Sequence, residues 1–156
     1  GLAPKEEFAF RWNLARSRAV VLALAARAAE AEAELEKLPD PPADLEAKER
    51  DGYEKALRGP RAAIAGARGD AAAAVAGLRQ VLAEEKMEGG GGFPYYPSAF
   101  RLRARLADAL VTLGKADEAR EELRPVLAVN PRFAPALAVL ARLEGSRPAA
   151  QGSTGR

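Results

Sequence analysis

The chain contains no histidine and no cysteine. Without imidazole or thiolate it cannot build a zinc site of the usual kind, nor a Ser–His–Asp or Cys–His catalytic constellation. No disulfide can form, so cysteine usage carries no information about redox compartment. Aromatics are few, with 5 Phe, 3 Tyr and 1 Trp, and scarce β-branched residues leave little material for strands. The longest uninterrupted apolar run, Ala19 to Ala26, falls far short of the roughly 20 residues that span a bilayer. A net charge of +2 is too small to imply a nucleic-acid partner. The glycines at 89–92 lack the following Lys-Ser/Thr of a phosphate loop. The acidic series Glu30, Glu32, Glu34 and Glu36 is scattered around a helix axis, and with Glu121–Glu122 reads as solvated surface rather than an acid/base pair. No cofactor, no metal and no enzymatic activity are expected.

What the chain has in quantity is alanine, 37 of 156 residues. Alanine is the best helix former because it loses no side-chain entropy, and Ala-rich faces let helices approach closely. The expected class is all-α. Charge is uneven: residues 1–50 carry 8 basic and 10 acidic groups, residues 101–156 carry 10 and 6. Arginine outnumbers lysine 18 to 6, which fits recognition of carboxylates or phosphates and equally an Ala- and Arg-rich coding bias, the reading we favour. The chain opens on Gly1 rather than Met, as expected of one trimmed from a longer chain.

Residues 4–38 contain no internal glycine or proline, and Phe8, Trp12, Ala15, Ala19, Leu22, Ala26, Ala29 and Ala33 recur at steps of three and four. That spacing predicts one long helix, ended by Pro-Asp-Pro-Pro at 39–42. Phe8, Phe10 and Trp12 read as core, or as a face toward a neighbouring domain. Asp44 is the expected N-cap of a helix through Leu57, which Gly59-Pro60 breaks or kinks. A helical stretch follows from Arg61 to Arg68, Gly69-Asp70 is a turn, and Ala71 to about Lys86 is helical again. Four glycines and two prolines at 87–98 forbid regular structure. Ser98 is the expected cap of a helix from Ala99 to Leu113, ended by Gly114. Further helices are expected over Asp117–Val129 and Ala134–Glu144, and 147–156 is a polar tail.

The sequence also repeats. Pro97 and Pro131 lie 34 residues apart. Between them, Leu106, Ala107 and Leu110 on one helix, Gly114 at a turn, Ala119, Leu123 and Leu127 on the next helix, and Pro131 form a pattern that resembles the tetratricopeptide repeat. Upstream, Gly69, Ala74, Leu78 and Leu82 match Gly114, Ala119, Leu123 and Leu127 at a constant offset of 45. Small residues suit close helix crossings, where a leucine overpacks, and glycine supplies the positive φ of a helix C-terminus. Pro125 departs from the pattern and predicts bending or early termination of its helix. The N-terminal helix aligns with neither unit. The expected architecture is a tetratricopeptide-like αα superhelix of stacked antiparallel pairs with a long N-terminal helix. It forms a single domain over 1–146: helix 4–38, degenerate repeat about 55–86, insertion 87–98, complete repeat 99–131 and capping helix 134–144.

The resemblance implies a groove lined by the first helix of each unit, with Arg101, Arg105, Asp108 and Thr112 facing it and Arg142 joining from the next helix. It implies a protein or peptide partner, and the arginines suggest an acidic one; local Arg105–Asp108 pairing on a solvated face is the blander alternative. The Lys/Asn pattern of the family's chaperone-tail clamp is not found. Tyr95 and Tyr96, with Phe93, are expected either to anchor the insertion or to fold over a ligand at the groove's end. The expected function is a noncatalytic interaction scaffold. The alternative is an accessory domain of a larger protein, packing through the N-terminal helix on a neighbour or on a second copy as a homodimer.

Overall fold

The computed structural model describes residues 3–88 and 97–145. Eight helices and no strand occur among them: α1 (Pro4–Leu24), α2 (Ala28–Leu35), α3 (Ala47–Ala56), α4 (Arg58–Ala67), α5 (Ala71–Glu88), α6 (Pro97–Thr112), α7 (Ala116–Val129) and α8 (Ala134–Gly145). The stretch 1–146, expected as one domain, divides into two compact units, Gly1–Glu88 and Gly89–Arg156. Most of the expected insertion 87–98 and all of the tail lie outside the described residues. Their helical borders sit at Glu88, beyond the expected Lys86, and at Pro97, which stands first in α6 instead of preceding a Ser98 cap. Proline is suited to that first position because the N–H it lacks has no partner inside the helix.

The helix expected over 4–38 is two. α1 stops at Leu24, and the chain reverses through Ala26 at φ 58°. The Arg27 amide donates to the Leu22 carbonyl at 2.9 Å and the Ala26 amide to Ala23 at 3.1 Å. These are the two bonds of a Schellman turn. The same pair closes α4, from Asp70 to Ala65 (2.9 Å) and Gly69 to Gly66 (3.0 Å), and α6, from Lys115 to Leu110 and Gly114 to Val111 (both 2.9 Å). Gly69 and Gly114 hold φ of 84° and 73°, as the sequence predicts. α1–α2, α4–α5 and α6–α7 are therefore three helical hairpins with one turn geometry.

Packing repeats with the turns. Ala19, Ala62 and Ala107 stand seven residues before the turn residue, Ala31, Ala74 and Ala119 five after it, and all six are buried. A methyl side chain lets the two axes of each hairpin close together. The position eight after the turn differs informatively. In α4–α5 it is Gly77, where an added Cβ would lie 2.8 Å from the Cβ of Ala62. In the other hairpins it is a glutamate joining the two helices: Glu34 to Arg18 at 4.0 Å and Glu122 to Arg103 at 2.5 Å. Leu35, at the register of Leu78 and Leu123, packs partly buried against the Ala23–Ala31–Ile64 cluster.

In the first unit α4 packs on α1 and α2. Phe8, Trp12, Leu45 and Leu57 form one cluster, with Tyr53 edge-on to Phe8 at 5.0 Å and to Trp12 at 4.8 Å. Phe8 and Trp12 are core as expected; Phe10 is exposed. α3 begins at Ala47, and its N-cap is Glu46, not Asp44; the Glu46 amide donates to the Glu49 carboxylate at 2.9 Å. The break expected at Gly59-Pro60 falls instead at Leu57. Pro60 sits in the first turn of α4, where it interrupts no hydrogen bond.

In the second unit α8 packs on both α6 and α7. Leu106, Leu110, Leu123 and Val126 are fully buried. Val126, rather than the expected Leu127, fills the last core position of α7; Leu127 is half-buried. α7 runs unbroken through Pro125 to Val129 instead of ending early. Proline leaves the Glu121 carbonyl without its helical donor, and Glu121 is exposed, so water can serve that carbonyl.

Candidate functional site

The groove residues read from the sequence are carried by α6 and α8. Arg101, Arg105, Asp108 and Thr112 follow at steps of four, three and four, which places them along one side of α6. The opposite side, with Leu106, Ala107 and Leu110, is buried. α8 lies against α6 and brings Arg142 to Asp108, where the two form an ion pair. The Thr112 hydroxyl donates to the Asp108 carbonyl at 3.2 Å. This bond turns the hydroxyl inward on its own helix.

The arginines thus divide. Arg142 is engaged with Asp108. Arg103 serves the hairpin through Glu122. Arg101 and Arg105, one turn apart, have no carboxylate partner among the described residues. Arg105 is half-buried, and burial, followed by the nearby Arg101 charge, holds its pKa below the ordinary arginine value. Two cations placed side by side, one partly withdrawn from water, favour an anion that bridges them. The alternative Arg105–Asp108 pairing is not formed; Asp108 pairs with Arg142 instead. Tyr95 and Tyr96, with Phe93, lie outside the described residues.

Two features escaped the sequence reading. The Arg103–Glu122 pair carries a positional signal: Glu122 lies three residues after the buried Ala119, on the face of α7 turned to α6. Arg142 lies 34 residues after Asp108, one repeat length, so the period itself places the two side by side. A cleft of about 220 Å³ beside α2 and α4, lined by residues including Glu32, Leu35, Ile64 and Arg68, is smaller than the roughly 300 Å³ at which small-molecule sites begin. Arg68 and Glu32 pair across it. No described helix is long and apolar enough to cross a membrane.

No curated protein and no solved structure matches the chain. Residues 67–143 match the tetratricopeptide repeat family. The matched stretch runs from the last residue of α4 through α5, α6 and α7 into α8. It includes both glycine turns and the buried Ala74, Ala107 and Ala119, but not Ala62. Over residues 67–143, just under half of its length, the chain carries tetratricopeptide repeat sequence.

Proposed function

We propose that the chain is a noncatalytic interaction scaffold that holds an acidic peptide segment on the α6–α8 face. Tetratricopeptide repeats commonly mediate protein–protein contacts. The observation that carries the reading is the adjacent pair Arg101 and Arg105, without a carboxylate among the described residues and with Arg105 half-buried. Forked guanidinium–carboxylate bonds are the strongest available to such a pair.

The test is titration of the chain into a fluorescein-labelled hexaglutamate peptide. Binding weakened about tenfold by Arg101→Ala and again by Arg105→Ala supports the reading, at roughly 1.5–3 kcal/mol per charged hydrogen bond. Binding indifferent to both substitutions, or absent at low salt, refutes it.

A second reading has an observation of its own. Phe10, Leu14, Val21 and Leu24 are 61%, 46%, 64% and 58% exposed along α1. A contiguous apolar stripe of that kind favours α1 as a packing face toward another protein surface.

A further inference from the structure

Every carboxylate of α6 and α7 already holds a cation. Asp108 pairs with Arg142 and Glu122 with Arg103. The remaining acidic residues of α7 each hold a basic residue of the same helix or of its N-cap. None is left to neutralise Arg101 or Arg105. α8 supplies none at that level either. Its one acidic residue, Glu144, lies in its last turn. Val139 follows Arg105 by 34 residues, the period that also sets Arg142 beside Asp108. Val139 is buried, so α8 brings an apolar residue to the level of Arg105 where a partner for its charge could have stood.

The shape of the missing anion follows from the pair. Residues four apart on a helix have Cβ atoms about 5–6 Å apart, so both guanidinium groups reach one small ligand. Arg105 is half-buried and Arg101 exposed. Two like charges held together, one of them partly out of water, cost free energy until an anion contacts both. A carboxylate has two oxygens, and a single guanidinium fork engages both. A phosphoryl group has three terminal oxygens and close to two negative charges near neutral pH. It can accept a fork from each arginine and cancel both charges. Asp108, three residues from Arg105, would repel such a dianion, and Arg142 neutralises it. Because Arg101 is exposed, the ester oxygen and the chain it joins can face solvent.

We propose that Arg101 and Arg105 together bind a phosphoryl group carried on a serine or threonine of a partner peptide, in preference to a carboxylate side chain. The proposal rests on the reading of the α6–α8 face as a site for an anionic peptide and narrows its ligand. The test titrates the 156-residue chain into three fluorescein-labelled probes: Gly-Gly-phosphoserine-Gly-Gly, the same peptide with glutamate in place of phosphoserine, and hexaglutamate. The phosphopeptide is expected to bind about tenfold or more tightly than its glutamate counterpart. Its binding strengthens as pH rises through the second phosphate pKa, about 6. The chain has no histidine, so that rise belongs to the probe. Arg105→Lys keeps the charge and removes the fork, and is expected to weaken the phosphopeptide about tenfold. Arg101→Ala, at an exposed position, weakens it as much with helicity unchanged. Hexaglutamate bound, with the phosphopeptide no tighter than its glutamate counterpart, overturns the phosphoryl ligand and leaves the acidic-peptide reading standing. The phosphopeptide bound and hexaglutamate not bound supports the phosphoryl ligand and overturns the carboxylate one. Inorganic phosphate that displaces the phosphopeptide at an equal concentration overturns the peptide as carrier. No binding of any probe, or binding indifferent to both arginine substitutions, overturns both readings.

Discussion

In α6–α7 the chain reverses through Gly114 at φ 73°; in α1–α2 it reverses through Ala26 at φ 58°. The two hydrogen bonds that close the turn are the same, as are the buried alanines seven before and five after it. A glutamate eight after the turn reaches an arginine of the first helix in both. Only the residue in the left-handed conformation differs, and for alanine that conformation costs about 1–2 kcal/mol. In the first hairpin the cost is offset by packing: Ala23 and Ala31 meet Ile64 of α4, and Trp12 and Phe8 meet Leu57. The hairpin geometry is thus a property of the close-packed small residues, and glycine at the turn eases it without being required.

The largest expected effect comes from filling the close crossings. Ala119→Leu and Ala31→Leu are each expected to lose about 1–3 kcal/mol, read as a lowered denaturant midpoint at unchanged slope. If Ala119→Leu falls and Ala31→Leu does not, the two hairpins are not equivalent and the comparison breaks. Next come the turns. Gly114→Ala is expected to lose about 1–2 kcal/mol, the left-handed penalty. Ala26→Gly is expected to gain up to about 1 kcal/mol, since relief of that strain exceeds the roughly 0.4–1 kcal/mol by which glycine loosens the unfolded chain. Opposite signs in thermal melts sharpen the comparison; a loss in both variants removes the strain at Ala26.

The smallest effect is electrostatic. The hydrogen bond from Lys37, reinforced by the charges of Lys37 and Arg18, holds the Glu34 carboxyl below the usual range. A depressed carboxylate contributes stability that is complete above its unfolded pKa and is lost as pH falls through the folded value. Acidification through the carboxylate range should therefore lower the melting temperature of the parent slightly more than that of Glu34→Gln. Equal pH slopes in the two proteins would show that Glu34 adds nothing to the hairpin.

The second unit was largely legible because its turn glycine, alanines and terminal proline stand at repeat spacing. The first hairpin was hidden by its own composition. Residues 22–28 contain no glycine or proline, and alanine and leucine have the highest helix propensity, so local signals ran straight through a turn that tertiary packing imposes. The register was nonetheless present: Arg18, Ala19, Ala31 and Leu35 precede Arg61, Ala62, Ala74 and Leu78 by 43 residues. Proline misled in the other direction. Pro60 reads as a breaker but occupies a first turn, and Pro125 lies mid-helix in α7 because the orphaned carbonyl belongs to an exposed residue. At the arginine face, the helical spacing located Arg101 and Arg105. The inward use of Arg103 and the engagement of Asp108 by Arg142 depend on neighbouring helices.

Trp12 is the single tryptophan of the chain, buried in the first unit with Tyr53 4.8 Å away. Its emission reports on the α1–α3–α4 contact of the first unit, while circular dichroism weighs helices from both units. The protein therefore carries a built-in optical label for one half of itself. Coincident unfolding curves from the two signals would mean that both units melt as one cooperative body. Separated curves would give the first unit its own transition, without a cut or an added dye.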